Sequence, residues 1–315
     1  MRQQITVREV GLRDGLQIHP TFMATADKLA WARAEAAAGV TEIEVTSYVP
    51  PKLIPQFADS EAVTTGALAI DGLTVSALIP NLRGAQRGIE LGAHKLNFVM
   101  SVSRTHNLKN VRRSPEESIA DFRAIVELAR SQPDGRRPIV SGGLSTALGC
   151  SYEGRVPVSQ VLDYAVQLLE AGAQELQVAD TVGYADPVQV RQVFKALLAL
   201  AGKVPVTAHF HDTRGTGLAN VSAALDCGVT MFDASLAGLG GCPFAPGASG
   251  NIVMEDLCFM LDSMGLETGV DLERLLRVRE AVAAALPDIA MQGALARAGL
   301  PRNYQTAVQR AALHS

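Results

Sequence analysis

The sequence predicts an α/β protein, a closed (β/α)8 TIM barrel with additional C-terminal helices. Eight short, β-rich apolar runs alternate with longer stretches of helical spacing, the pattern of βα units around a parallel sheet. Several helical stretches end on glycine, in Ala-Gly-Val at 38–40, Leu-Gly-Ala at 91–93, Ala-Gly-Ala at 171–173 and Cys-Gly-Val at 227–229. Glycine just past a helix takes a left-handed backbone without Cβ strain, so the chain turns at once into the next strand. Periodicity alone also fits an open sheet. The absence of GxGxxG after the first strand and of GxxxxGK[ST] favours the barrel over a doubly wound nucleotide-binding sheet.

The expected strands, in order, cover 6–10, 42–46, 74–79, 95–100, 138–144, 175–179, 205–211 and 230–235. Between them, stretches such as 26–38, 118–129, 158–171, 188–200 and 219–227 carry apolar residues three and four apart and read as amphipathic helices. A further helical stretch at 272–286 and a mixed polar and alanine-rich tail follow Leu266. The chain therefore reads as one domain over 1–315, with 266–315 a C-terminal helical extension to the barrel.

Composition narrows the function. A length of 315 residues is long for an ordinary domain and normal for an α/β barrel. With 28 Lys and Arg against 32 Asp and Glu, a net charge of −4 and no basic block, no nucleic-acid partner is expected, because such binding draws on phosphate neutralisation. No apolar run approaches the roughly 20 residues that cross a bilayer, and the first ten residues show no signal-peptide core. No membrane association and a cytoplasmic location are expected. Cys150, Cys227, Cys242 and Cys258 are too few for a disulfide framework and form no CxxC pair, so they read as thiols.

Barrel enzymes carry reactive groups where strands hand over to loops. After the first strand stands Arg13-Asp14-Gly15, which in isolation is also an ordinary surface turn. The seventh strand ends in His209-Phe210-His211. Residues i and i+2 of a strand share a face, so the two imidazoles project together and supply part of a divalent-metal sphere, or else a hydrogen-bonded rim pair. The segment 237–251, Ala-Gly-Leu-Gly-Gly-Cys-Pro-Phe-Ala-Pro-Gly-Ala-Ser-Gly-Asn, places five glycines around Cys242 just after the eighth strand. Such a loop can close over a substrate and bring the thiol into the site; a plain linker is seldom so apolar. Glu44 in the second strand and Asp180 ending the sixth are inward carboxylates that need a cation or hydrogen-bond donors. A salt bridge between strands would serve equally, and Asp233 in the eighth strand reads as mainly structural.

These segments together carry a resemblance. Val-Gly-Leu-Arg-Asp-Gly-Leu-Gln at 10–17, Glu-Val-Thr-Ser-Tyr-Val at 44–49, Ala-Leu-Gly-Cys-Ser-Tyr-Glu-Gly at 147–154, His-Phe-His-Asp-Thr at 209–213 and the glycine-rich cysteine segment closely resemble the 3-hydroxy-3-methylglutaryl-CoA lyase family. The likeness runs in order from about residue 5 to 275. The Arg-Asp and His-x-His elements are shared with a wider group of metal-dependent barrels that includes isopropylmalate synthase. The resemblance implies a divalent cation, Mg2+ or Mn2+, held by Asp14, His209, His211 and Asn251. It further implies that Arg13 faces the thioester carbonyl, that Cys242 is the loop acid or base, and that Glu44 and Asp180 support proton transfer and metal-bound water. The implied reaction is retro-Claisen cleavage of a 3-hydroxyacyl-CoA to acetyl-CoA and a 3-oxo acid, by a homodimer acting in leucine degradation.

The chain departs from the family pattern in two places. Where members usually carry Arg-Gly-Tyr ahead of the fifth-strand Ser-Cys-Ala-Leu-Gly-Cys segment, this chain has Ser141-Gly142-Gly143, losing a cation and an aromatic ring. The segment 100–107 after the fourth strand also differs. Smaller groups in the fifth strand point to a bulkier or differently charged acyl chain. The alternatives are an acetyl-CoA-dependent Claisen synthase, a lyase for another acyl group, or a non-catalytic binding protein on a barrel scaffold.

Overall fold

The computed structural model describes residues 3–241, 250–306 and 309. Eight parallel strands close into a barrel in sequence order: β1 (Thr6–Glu9), β2 (Glu42–Ser47), β3 (Thr74–Ile79), β4 (Lys95–Ser101), β5 (Ile139–Ser145), β6 (Glu175–Asp180), β7 (Val206–Phe210) and β8 (Met231–Ala234), with β8 paired to β1. The expected closed barrel is the observed one.

The helices that wrap it are α1 (Thr25–Ala37), α2 (Ser60–Leu68), α3 (Leu82–Leu91), α4 (Arg104–Asn110), α5 (Pro115–Arg130), α6 (Val158–Ala171), α7 (Pro187–Ala201), α8 (Gly217–Cys227) and α9 (Met254–Ser263), followed by α10 (Leu272–Ala285) and α11 (Ala294–Ala298). Five of them, α3, α4, α5, α7 and α10, open on a side-chain cap. Ser114 and Glu117 form a reciprocal capping box ahead of Pro115, and Asp186 accepts the amides of Val188 and Gln189. The helix α10 buries Leu272, Leu275, Val278 and Val282 within the chain and packs against α1. Its apolar side is therefore consumed within the chain.

Two helices that periodicity obscured follow β2 and β3. The helix α3 carries Gly84 and Gly88, residues that usually weaken a helix. A Cβ at Gly88 would stand 2.5 Å from Leu96 and 3.0 Å from Tyr48, so glycine there lets the helix lie directly on the barrel. The strand boundaries also move at the reactive end. Pairing in β7 stops at Phe210, and His211 instead bridges to Asn251 across an isolated antiparallel contact.

Charged side chains fill the lower barrel, where branched apolar groups are the usual packing. Arg8 donates to Asp233 at 2.6 Å and Glu175 at 2.5 Å, and Lys95 donates to Glu42 at 2.9 Å and Glu175 at 2.6 Å. Burial would raise the Glu175 carboxyl, but Arg8 and Lys95 outweigh it and hold Glu175 below the ordinary glutamate value. Ser141, at the position where the family pattern has a cation, lies in this layer within 3.5 Å of Glu175. Lys95 on the neighbouring strand supplies the positive charge.

Candidate active site

The strand ends of β1, β2, β4, β6 and β7 open into a cavity of about 480 Å³, lined by Arg13, Asp14, Asn97, His209, His211 and Gly241 among others. Its reactive groups come from the segments singled out in the sequence. After β1 the chain makes one π-helical turn over Gly11–Gly15, an uncommon conformation that recurs at functional sites. Gly11 is required by crowding, since a Cβ would stand 2.5 Å from Glu9 and 2.8 Å from Ser235. The turn buries both Arg13 and Asp14, so Arg-Asp-Gly is no surface turn here.

Asp14, His209 and His211 bring one potential ligand atom each within 4.8 Å of the others, all buried. The two imidazole Nε2 atoms lie 3.1 Å apart. His209 sets its own tautomer: Nδ1 lies 3.0 Å from the Asp233 carboxylate, which can only accept, so Nδ1 carries the proton and Nε2 keeps its lone pair. Asn251 arrives from 237 positions along the chain, donating its amide to Asp14 at 2.7 Å and to the Leu239 carbonyl at 3.0 Å. Among the described residues its buried Oδ1 has no hydrogen-bond partner, and neither has His211 Nδ1. Two imidazole nitrogens in near contact, one carboxylate and one orphaned amide oxygen are a donor set that fits a fairly hard divalent cation.

Arg13 is locked beside this cluster. Its Nη1 donates to Asp14, and its Nε donates to Glu44, whose other oxygen accepts from Asn97 at 2.8 Å. Burial opposes charge on both partners. Even so, Glu44 and Asp14 raise the guanidinium further, and Arg13 with the two histidines holds Asp14 well below the carboxylate range. Both therefore stay ionised.

Asp180 is fully buried, and its oxygens accept the backbone amides of Tyr184 at 2.8 Å and Ala185 at 3.1 Å. Burial raises its carboxyl and these amides counter the rise; His211 and His209 lie close enough to act on it. It thus builds the loop after β6 from a place next to the histidines. Cys242 lies outside the described residues; its predecessor Gly241 lines the cavity. Cys150, Cys227 and Cys258 are free thiols.

Sequence reasoning passed over three contributors, Asn97, Gln177 and Gln17, and read a fourth, Asp233, as mainly structural. Asn97 and Gln177 line the cavity, Gln17 donates to Asp14 at 2.7 Å, and Asp233 serves Arg8 and His209 together. The only advance signal was their even spacing from inward residues of the same strands, since Asn97 stands two from Lys95 and Gln177 two from Glu175.

Comparison with known proteins agrees with this geometry. The HMGL-like family model matches residues 4–282. The chain is 43% identical over 274 residues to the hydroxymethylglutaryl-CoA lyase YngG of Bacillus subtilis, covering 87% of this chain and 90% of that one. It is 36% identical over 284 residues to the human mitochondrial enzyme, covering 90% and 86%. The structure of an HMG-CoA lyase from Acinetobacter baumannii, in complex with coenzyme A and 3-methylmalate, superposes with a TM-score of 0.90 at 41% identity, covering 96% of this chain and 97% of that chain. With its barrel, its Asp-His-His cluster and these relatives, the chain belongs to the HMGL-like family.

Proposed function

We propose that this protein is a metal-dependent carbon–carbon lyase that cleaves 3-hydroxy-3-methylglutaryl-CoA, or a related 3-hydroxyacyl-CoA, to acetyl-CoA and a 3-oxo acid, which is acetoacetate for the methylglutaryl substrate. The observation that carries the reading is the buried convergence of Asp14, His209 and His211 beside the fixed guanidinium of Arg13. Asn251, through its unpartnered Oδ1, completes the set that would hold the cation. Bound there, Mg2+ or Mn2+ supplies Lewis acidity that acidifies the substrate hydroxyl and offsets charge on the oxygens it contacts.

The chain's own residues do the rest. The C3 hydroxyl gives up its proton to the Glu44 carboxylate, the C2–C3 electron pair moves toward the thioester, and the C3 oxygen becomes a carbonyl. Arg13, held by Glu44 and Asp14, stabilises the enolate oxygen of the departing acetyl-CoA without reorganising. Cys242 protonates the enolate carbon. Glu44 and Asp180 support proton removal; Asp180, whose oxygens are committed to backbone amides, contributes charge beside the histidines. Among the described residues no helix is long and apolar enough to cross a membrane. The proposal extends, on the family resemblance alone, to a cytoplasmic homodimer acting in leucine degradation.

Metal analysis combined with acetyl-CoA release from a panel of 3-hydroxyacyl-CoA thioesters, run in both directions, tests the reading. Metal-dependent cleavage supports it. A preference for condensation would make the chain a synthase, and neither metal nor turnover would leave a binding protein.

A further inference from the structure

The fifth strand, where this chain departs from its relatives, forms a stretch of the cavity wall that carries no side chain at Gly143. Gly143 lies between Val99 of β4 and Gln177 of β6 in the strand register. A Cβ at 143 would stand 2.6 Å from the Phe98 carbonyl oxygen and 3.4 Å from Gln177 Oε1. The neighbouring backbone thus fills the Cβ position and excludes a larger residue, and the two atoms nearest that position are oxygens.

Two amides flank it, and their orientation is forced. The Asn97 NH2 donates to Glu44 at 2.8 Å and the Gln177 NH2 donates to Asp233. Carboxylates accept only, so neither amide can flip without opposing oxygen to oxygen. Each therefore offers its carbonyl oxygen. Asn97 is buried, 4% exposed, and its Oδ1 has no hydrogen-bond partner among the described residues. A buried unpaired acceptor demands a donor.

We propose that this part of the cavity, lined by Asn97, Gly143 and Gln177, is the acyl-selectivity pocket of the lyase and that it selects a 3-hydroxyacyl-CoA whose C3 substituent carries a neutral hydrogen-bond donor, such as a hydroxyl, over one that is purely alkyl. The inference rests on the lyase reading above. A hydroxyl entering the pocket exchanges its water for the waiting oxygens of Asn97 and Gln177, whereas an alkyl group leaves them dry. An anionic substituent would meet oxygens and, behind them, two carboxylates. Sites built to hydrogen-bond a substrate hydroxyl reject the analogue lacking it strongly.

The test measures kcat/KM of the metal-loaded enzyme on CoA thioesters of 3-hydroxyglutarate bearing methyl, ethyl or hydroxymethyl at C3. The expected result is a preference for hydroxymethyl over its near-isostere ethyl of about tenfold or more. In Asn97→Leu that ratio falls toward unity, while any loss transmitted through Glu44 lowers both rates alike. Gln177→Met serves in the same way if Asn97→Leu does not fold. Cleavage of all three thioesters without the preference, or a preference that survives the substitution, overturns the proposal and leaves the lyase reading standing. Failure to cleave any thioester, methyl included, removes the lyase reading and the proposal with it.

Discussion

Replacing Glu35 by glutamine should change how the stability of this protein depends on pH. Glu9, Glu35 and Glu255 are all buried behind the Arg13-Asp14 turn, yet Arg279, 2.8 Å from Glu255, is the one cation in direct contact with them among the described residues. Glu9 spends its oxygens on the amides of Gly11 and Leu236, tying the end of β1 to the segment after β8. Burial pushes Glu9 up to about 8, and burial together with the neighbouring Glu9 pushes Glu35 up as well. A carboxyl raised on folding contributes stability that is fully present below its unfolded value and is lost as pH climbs through its folded value. Between pH 5 and 8 one such proton accounts for up to about 4 kcal/mol at about 1.4 kcal/mol per pH step. Relaxation and water penetration reduce this to about 2 kcal/mol. In Glu35→Gln, a neutral amide faces Glu9 and the proton that Glu35 retains on folding no longer has to be held. The variant should match the wild type at pH 5 and exceed it at pH 8 by about 2 kcal/mol, or about 4 °C in a melting scan. Parallel melting profiles for the two proteins from pH 5 to 8 would refute the reasoning.

Three further outcomes are expected. Arg13→Met should retain metal affinity in a titration while turnover falls by about a thousandfold or more, because the guanidinium acts on the developing enolate; a near-normal rate would end its assigned role. Asp233→Asn should weaken metal binding by about 10- to 100-fold through the loosened His209 ring, read by competition with a chelating dye. Lys95→Met leaves Glu42 and Glu175 to share Arg8, and should lower unfolding free energy by about 3–5 kcal/mol in denaturant melts.

Much of this architecture is legible in the residues. Alternating apolar runs and the glycines at 39, 92, 172 and 228, all with positive φ, mark the βα units and their turns. The His209-Phe210-His211 spacing puts two imidazoles on one face through strand geometry alone. The helices α2 and α3 were harder to read because close packing, of Gly66 against Leu29 of α1 and of Gly88 against Leu96 of β4, demands glycines that mimic helix breakers. The ionic layer was equally obscure: Glu42, Lys95 and Glu175 each open a strand, where a charged residue reads as a solvated edge. Only barrel closure turns them toward one another.

The sequence by itself determined the kind of fold, the inward faces of the strands and the segments that bear chemistry, because those depend on backbone periodicity and on local residue type. Tertiary structure decided which groups meet. It brought Asn251 to Asp14, gave Asp233 a second duty in holding His209, and engaged Asp180 with the loop after β6. It also set Asn97 and Gln177 on the cavity wall beside Gly143. Apart from the Asp180 turn, these are contacts between strands and segments far apart in the chain, and their distances follow from strand register and closure, which local pattern does not encode.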